Sequence, residues 1–242
     1  GRARTPVTAT SVSAQLPLAL RWPAQQRFET FHAGPNASVL EALRCAARDP
    51  GAPWLFLSGS QGSGRSHLLL ATCALASSEG RGAQYLPLAT LPSPNAAAIR
   101  GFGGSALIAV DDVEAIAGDA DAEHALFDLY NRCRAQAATM VFAANAPPAR
   151  LGIGLPDLVS RFGACTRLPL KPLDEVERRD VVRARATARG IELDDSALDW
   201  LFTRRKRDLA TLLDLLDRID RASLAAQRRV TVPFLRTLLH GD

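Results

Sequence analysis

The chain has 242 residues, of which 47% are hydrophobic and 22% charged, a composition that excludes disordered, collagen-like and coiled-coil proteins. Of the 29 basic residues only Lys171 and Lys206 are lysines, and the formal net charge is +4. Residues 1–30 hold four arginines and one glutamate, hence +3 of that charge, so the rest of the chain is nearly neutral and a broad nucleic-acid-binding face is not indicated.

The sequence predicts a soluble, cytoplasmic protein. Residues 5–20 are uncharged, but Thr, Ser, Gln and Pro interrupt them, so they lack the continuous apolar region of a secretory signal. No run is long and apolar enough to predict a membrane span. The four cysteines are widely spaced and form no CxxC pair, which favours buried free thiols in a reducing compartment over disulfides or zinc.

Residues 1–24 are predicted to form a flexible arm with one apolar segment, residues 15–20. Pro17 disfavours a helix there, because it lacks a backbone donor and restrains the preceding residue to extended geometry. An extended peptide with one side-chain amide and several leucines suits docking into a groove on a partner. The alternative is that these leucines pack on the protein's own core.

Residues 59–66 have the sequence and the setting of a phosphate-binding loop. The apolar run 54–57 predicts a buried strand before the loop, and Leu68, Leu69 and Leu75 predict a helix after it. Glycines let backbone N–H groups turn toward a phosphate, the helix N-terminus adds partial positive charge, and Ser66 is placed to ligate Mg²⁺. Arg65 stands where G-x-x-x-x-G-K-[ST] has lysine, so phosphate binding is better supported than efficient hydrolysis, and a glycine-rich turn without ligand remains the alternative.

Polar residues follow two further apolar runs. Residues 106–110 are followed by Asp111 and Asp112, and residues 140–144 are followed by Asn145. Continuous apolar runs are typical of strands buried on both faces of a parallel sheet, and ligands bind at the carboxyl ends of such strands. A carboxylate there can hold a hydrated Mg²⁺, and Asn145 can orient a water or contact a terminal phosphate.

Helices are predicted in the rest of the chain. Residues 123–134 have helical spacing, and Arg161 lies in a short helix with Leu158 and Phe162 as expected core contacts. After Pro169 and Pro172 the pattern changes to a small helical bundle, whose clearest element is a leucine stripe that begins at Leu209.

Longer stretches of sequence are similar to those of a known family. They are Gln15–Leu20, Gly64–Leu69, Phe127–Arg132, Gly154–Arg161, Leu216–Ser223 and Ala226–Phe234. With them the chain resembles the AAA+ ATPases from Gln15 to about Leu239, and within them the DnaA-type replication initiators and their short regulatory relatives. The resemblance implies an α/β fold with a parallel sheet flanked by helices, in which residues 25–168 form the nucleotide-binding domain and residues 169–242 an α-helical lid.

The resemblance also assigns roles to residues. It implies a Walker A loop that includes Gly59, Gly62, Ser63, Gly64, Arg65, Ser66 and His67. It places Asp111 and Asp112 at Walker B, Asn145 at sensor 1 and Arg207 at sensor 2, with Mg²⁺ held by Ser66 and Asp111. Phe31, Gly34 and Asn36 match positions near the adenine. Arg161 matches the arginine finger, which acts catalytically in trans, and Gln15, Leu16, Leu18 and Leu20 match a sliding-clamp-binding peptide.

The function implied is negative regulation of replication initiation. The chain is expected to bind ADP (or ATP), dock on the DNA-loaded sliding clamp, the β subunit of DNA polymerase III, and stimulate ATP hydrolysis by DnaA, with weak or no ATPase activity of its own. It would meet DNA only through the clamp, and a homo-oligomer is left open. The alternatives are a stand-alone P-loop ATPase that acts on DNA and a nucleotide-free adaptor. The end of the chain after the lid, without a helix-turn-helix module, argues against the first.

Overall fold

The computed structural model describes residues 22–92, 95–204, 209–226 and 230–239. Within these residues, five strands form one parallel sheet in the order β2-β3-β4-β1-β5. They are β1 (Leu55–Ser58), β2 (Ala83–Pro87), β3 (Leu107–Asp111), β4 (Thr139–Ala144) and β5 (Thr166–Pro169). The glycine-rich loop follows β1, which lies between β4 and β5, so it opens at the carboxyl edge of the sheet where ligands of α/β proteins bind. The predicted α/β class with a parallel sheet is confirmed.

Helices cover both faces of this sheet. They are α1 (Ala37–Arg48), α2 (Arg65–Ser78), α3 (Asn95–Arg100), α4 (Ala120–Ala135) and α5 (Pro156–Gly163). Because successive side chains of a strand point to opposite faces, Val141 packs in the cluster under α1 and α2, while Phe142 packs in the cluster with α4 and α5. None of the helices in the described parts of the chain is long and apolar enough to cross a membrane.

Burial explains which strands the sequence reveals. All five residues of β3 and all six of β4 are buried, and all of them except Asp111 and Thr139 are apolar, which gives each strand a continuous apolar run. The edge strands β2 and β5 are mostly half-buried or exposed, and their sequences carry polar and charged residues that give no comparable signal. Neither edge strand was predicted.

The C-terminal helices form a separate apolar cluster. They are α6 (Glu175–Ala188), α7 (Asp195–Arg204), α8 (Leu209–Ala226) and α9 (Val232–Leu239). A capping box at Asp174 and Glu177 begins α6. Leu212, Leu216 and Ile219, which continue at helical spacing the stripe that begins at Leu209, are buried in the cluster with residues of the other three helices. The helical bundle is confirmed, while the domain limits at residues 24 and 168 stay predictions.

The cysteines depart in part from expectation. Cys73, Cys133 and Cys165 are buried free thiols, as predicted, but Cys45 is exposed. Cys45 lies in α1 outside the buried face of this helix, which is formed by Val39, Leu40, Leu43, Ala46 and Ala47.

Candidate functional site

The glycine-rich loop has the backbone geometry that a phosphate-binding loop requires. Gly62 and Gly64 have φ values of +77° and +92°, a region that side chains other than glycine rarely adopt. Gly64 caps the N-terminus of α2, and a Cβ added to it would lie 2.5 Å from Cε2 of Phe31. The loop therefore combines exposed N–H groups at a helix N-terminus with an aromatic ring packed directly against the last glycine.

A cavity of about 540 Å³ opens between this loop and the helical lid. Its loop side is lined by Gly62, Ser63, Gly64, Arg65, Ser66, His67 and Asp112, all of which are predicted site residues. Its other walls come from the segment before α1 (Phe31 and Asn36), the connection at Lys171, and lid residues that include Arg178, Arg185, Leu209 and Leu213. The volume lies in the range of small-molecule and cofactor sites.

Other predicted residues lie beside the cavity and do not line it. Gly59 directly follows β1 and donates its N–H to the carbonyl of Ala144 at 3.1 Å. Asp111 is fully buried at the end of β3, and Asn145 is exposed just after β4. Gln15, Leu16, Leu18, Leu20 and Arg207 lie outside the described residues.

Arg65 is ion-paired inside the protein. Its side chain is only 9% exposed, with Nη1 lying 3.3 Å from Oε1 of Glu114 and Nη2 lying 3.6 Å from Oδ1 of Asp112. Burial and the negative charges of Asp111 and Glu114 raise the pKa of Asp112, whereas the positive charge of Arg65 lowers it by a smaller amount. Arg65 therefore forms one charged cluster with the carboxylates of Asp111, Asp112 and Glu114.

Asp111 is held by two donors. The Tyr85 hydroxyl donates to Oδ2 at 2.7 Å, and the Asp112 N–H donates to Oδ1 at 3.0 Å. Burial and the charge of Asp111 raise the pKa of Tyr85, whose hydroxyl also interacts with the Ser66 side chain. Tyr85 thus links the two residues expected to hold Mg²⁺.

These residues fit a magnesium ion bound mainly through nucleotide phosphates and water. Among the described residues, no three His, Cys, Asp or Glu side chains are grouped so that they could hold a metal alone. Mg²⁺ usually keeps several waters and takes one or two protein ligands beside substrate phosphates. Ser66 would supply a hydroxyl, and Asp111 a carboxylate that acts through water.

Asn36 fastens the segment before α1 to the connection that leads into the lid. Its Nδ2 donates to the Lys171 carbonyl at 3.0 Å, and its Oδ1 accepts from the Lys171 N–H at 2.8 Å. The side chain is almost fully buried. Asn36 and Lys171 both line the cavity, so these two hydrogen bonds fix that part of its wall.

His67 joins three walls of the cavity. Its Nε2 lies 2.8 Å from the Arg27 carbonyl and must donate to it, so Nδ1, 3.5 Å from Nη2 of Arg185, is the acceptor. Burial lowers the pKa of His67. The hydrogen bond to the Arg27 carbonyl raises it, and the positive charge of Arg185 lowers it, so that the net shift is downward. A neutral His67 therefore suits the contact between α2 and the lid, whereas a protonated ring would place an N–H against a guanidinium.

This arrangement predicts that acid destabilises the fold through His67. Because the folded-state pKa lies below the unfolded value of about 6.5, the unfolded state binds more protons, and the free energy of unfolding falls as the pH drops below about 6.5. Urea unfolding at pH 7.5 and pH 5.5 measures the loss. Between these two pH values the free energy of unfolding should fall less in His67→Gln than in the parent. In the exposed-site control His124→Gln it should fall by the same amount as in the parent. Equal losses in parent and His67→Gln would contradict the assignment.

Arg161 lies in α5, outside the cavity, with an exposed side chain. Its guanidinium carbon is 5.7 Å from the ring centroid of Tyr130, a cation–π contact. Within the described parts of the chain, no carboxylate forms an ion pair with it. Leu158 and Phe162 of the same helix are fully buried, as predicted.

A buried carboxylate anchors the start of α5. Glu123 is 2% exposed and accepts N–H groups from Gly118, Gly154 and Leu155 at 2.9, 3.0 and 2.8 Å. Leu155 is the N-cap residue of α5. Glu123 and Tyr130 are seven residues apart, and therefore on one face of α4, so the same helix face holds the N-terminus of α5 and the side chain of Arg161.

Sequence reasoning missed four residues of this arrangement. They are Tyr85, Glu114, Glu123 and Arg185. Glu114 lies three residues after Asp111, at a spacing that could have drawn attention to it. Tyr85 lies on an unpredicted strand, while Glu123 and Arg185 look like ordinary surface charges of amphipathic helices, so no local pattern marks them.

Similarity to known proteins agrees with this geometry. Residues 175–239 match the family model described as "Hda, lid domain". The structure is similar to domain III of the replication initiation protein DnaA from Thermotoga maritima, with a TM-score of 0.76 and 21% identity over 91% of this chain and 98% of that chain. AMPPCP-bound DnaA from Aquifex aeolicus matches with a TM-score of 0.65 and 21% identity over 81% of this chain and 66% of that chain. The Holliday junction branch migration motor RuvB of Thermotoga maritima matches with a TM-score of 0.64 and 15% identity over 89% of this chain and 71% of that chain. The predicted AAA+ fold is confirmed.

Proposed function

We propose that this chain, whose residues 175–239 match the model of an Hda lid domain and whose fold is similar to that of DnaA domain III, is a regulator of replication initiation that switches off DnaA. In this proposal it binds ADP in its own cavity, docks on the DNA-loaded sliding clamp, and offers Arg161 to the ATP site of the initiator. DnaA then hydrolyses its ATP and becomes inactive. The protein acts as an activator of another ATPase and has little hydrolytic activity itself.

The position of Arg161 is the observation that carries the proposal. A side chain that completes its own nucleotide site would line the cavity, whereas Arg161 is exposed and does not line it. Its anchoring by Tyr130 and by the Glu123-held start of α5 supports a role that needs a fixed direction. A guanidinium presented in trans neutralises the charge that develops on the transferring phosphoryl group.

The cavity suits an adenine nucleotide. The Aquifex DnaA of similar fold binds AMPPCP, and the loop N–H groups, Arg65 and Ser66 of this chain would receive the phosphates. Mg²⁺, bound beside Ser66, would neutralise phosphate charge. Lid residues Arg185 and Leu213 face the same space, so a bound nucleotide would contact both the loop and the lid.

The arm supplies the tether in this proposal. The peptide 15–20 would bind the clamp, and the local concentration of the regulator at clamp-bearing DNA would then exceed its bulk concentration. A modest affinity for DnaA would suffice under these conditions. This part of the proposal rests on the resemblance of residues 15–20 to a clamp-binding peptide.

The test follows ATP hydrolysis by ATP-bound DnaA mixed with this protein, with and without clamp-loaded DNA. Stimulation is expected only with loaded clamp. Gln15→Ala should lower it about tenfold at subsaturating protein, because the lost amide contacts weaken clamp binding by about 1.4 kcal/mol. The exposed-site control Gln136→Ala should behave as the parent. Equal stimulation without clamp, or by Gln15→Ala, would exclude the tether, and an absence of stimulation by the parent would exclude the proposed function.

A further inference from the structure

The ion pair between Arg65 and Glu114 connects two parts of the site that the sequence treats separately. Arg65 begins α2, whereas Glu114 lies in the 3₁₀ turn Val113–Ile116 after β3. Both side chains are mostly buried, with 9% and 23% exposed, and the closest nitrogen–oxygen distance is 3.3 Å. A partly buried pair is screened by solvent much less than a surface pair.

Glu114 is held in this position by a second contact. While Oε1 faces Arg65, Oε2 accepts the backbone N–H of Asn145 at 3.1 Å, at the end of β4. One carboxylate therefore bridges the phosphate-loop helix and the carboxyl end of β4. Because the contact with Asn145 does not involve Arg65, Glu114 has an anchor of its own at the site.

Arg65 lines the cavity and Glu114, which does not, pairs with it there, so the pair is expected to meet a third phosphate. The cation at this position of a phosphate-binding loop reaches the β- and γ-phosphates, and both terminal nitrogens of Arg65 face carboxylates, those of Glu114 and Asp112. A triphosphate must compete for Arg65 and bring further negative charge beside Asp111, Asp112 and Glu114. A diphosphate ends one phosphate earlier and meets less of this repulsion.

We propose that Glu114 is a specificity-determining residue that favours nucleoside diphosphate over triphosphate, by pairing with Arg65 and by repelling a terminal phosphate. This inference rests on the proposed nucleotide-binding function of the cavity. It adds a nucleotide preference to that function, because a regulator that binds nucleoside diphosphate does not hydrolyse triphosphate in its own site while it acts on its partner.

Calorimetry with ADP and with AMPPCP in Mg²⁺-containing buffer tests the inference. The parent is expected to bind ADP more tightly than AMPPCP. Glu114→Gln keeps an acceptor for the Asn145 N–H but loses the charge, and should lower the ratio of the AMPPCP to ADP dissociation constants about tenfold. Glu114→Ala should change the ratio in the same direction, as a second variant if the glutamine disturbs folding.

The matched control is Glu41→Gln. Glu41 is an exposed carboxylate of α1 that pairs with Arg44 at 2.6 Å, so its replacement removes the same charge and one ion pair away from the cavity. Its affinity ratio should equal the parent's. A ratio that changes less than twofold in both Glu114 variants, a parent that prefers AMPPCP, or an equal change in Glu41→Gln would overturn the inference alone. Failure of the parent to bind either nucleotide would overturn the proposed nucleotide site as well.

Discussion

Arg161→Ala is expected to abolish the stimulation of ATP hydrolysis by DnaA, a loss on the order of 10³–10⁵ in the stimulated rate. The guanidinium is the group proposed to neutralise the negative charge that develops on the phosphoryl group in the partner's transition state. Alanine cannot neutralise this charge. Because Arg161 is outside the chain's own cavity, ADP binding should be unchanged. Among the described residues its ring contact is with Tyr130, worth about 0.5–1 kcal/mol at an exposed site, so the fold should persist. Single-turnover hydrolysis by ATP-bound DnaA with clamp-loaded DNA measures the effect.

Two further variants sharpen this result. Arg161→Lys keeps the charge but loses the planar fork, and should restore only a small part of the stimulation. Arg48→Ala removes an exposed arginine of α1 paired with Glu79 and should stimulate as the parent does. If Arg161→Ala stimulates as well as Arg48→Ala, the trans arginine finger is not Arg161.

Gly64→Ala is expected to lower the affinity for ADP by about 30–100-fold. At φ +92° an alanine is strained by roughly 1–2 kcal/mol, and its Cβ would lie 2.5 Å from the Phe31 ring. The loop and the ring must then move apart, which displaces N–H groups that would receive phosphate. Calorimetry measures the affinity, and urea unfolding measures the accompanying loss of stability.

Gly80 provides the matched control for the backbone strain. It has φ +77°, and a Cβ added there would meet no atom within 4 Å. Gly80→Ala should therefore lose stability by a similar amount, about 1–2 kcal/mol, while its ADP affinity equals the parent's. Equal affinities in the two variants would mean that the loop around Gly64 does not bind the phosphates.

The central fold could be predicted because its strongest constraints are local. β3 and β4 are buried on both faces, so their apolar runs are continuous and unmistakable in the sequence. The loop between Gly59 and Ser66 needs glycines at particular backbone positions, and the structure places positive φ at Gly62 and Gly64. The edge strands β2 and β5 escaped prediction because half-exposed edges tolerate polar and charged residues.

The site could be predicted only in outline. Sequence order placed Arg65 in a loop after one strand, and Asp111 and Asp112 at the end of another. The structure brings Arg65 and Asp112 to 3.6 Å. Sequence order could not show that Arg65 also pairs with Glu114, because that contact joins residues 49 positions apart. The contact of Arg185 with His67 joins residues 118 positions apart and depends on how the lid packs.

The amino-acid sequence by itself determined a parallel α/β sheet, a glycine loop with arginine in place of lysine, and a following helical bundle, since each depends on periodicity or backbone freedom within a short window. Only the tertiary structure decided what the arginines do. Arg65 is buried against two carboxylates, Arg185 contacts the loop helix from the lid, and Arg161 stands exposed on a helix anchored by Glu123. An arginine carries the same charge everywhere in the sequence, and the carboxylates, rings and carbonyls that distant segments place around it set its role.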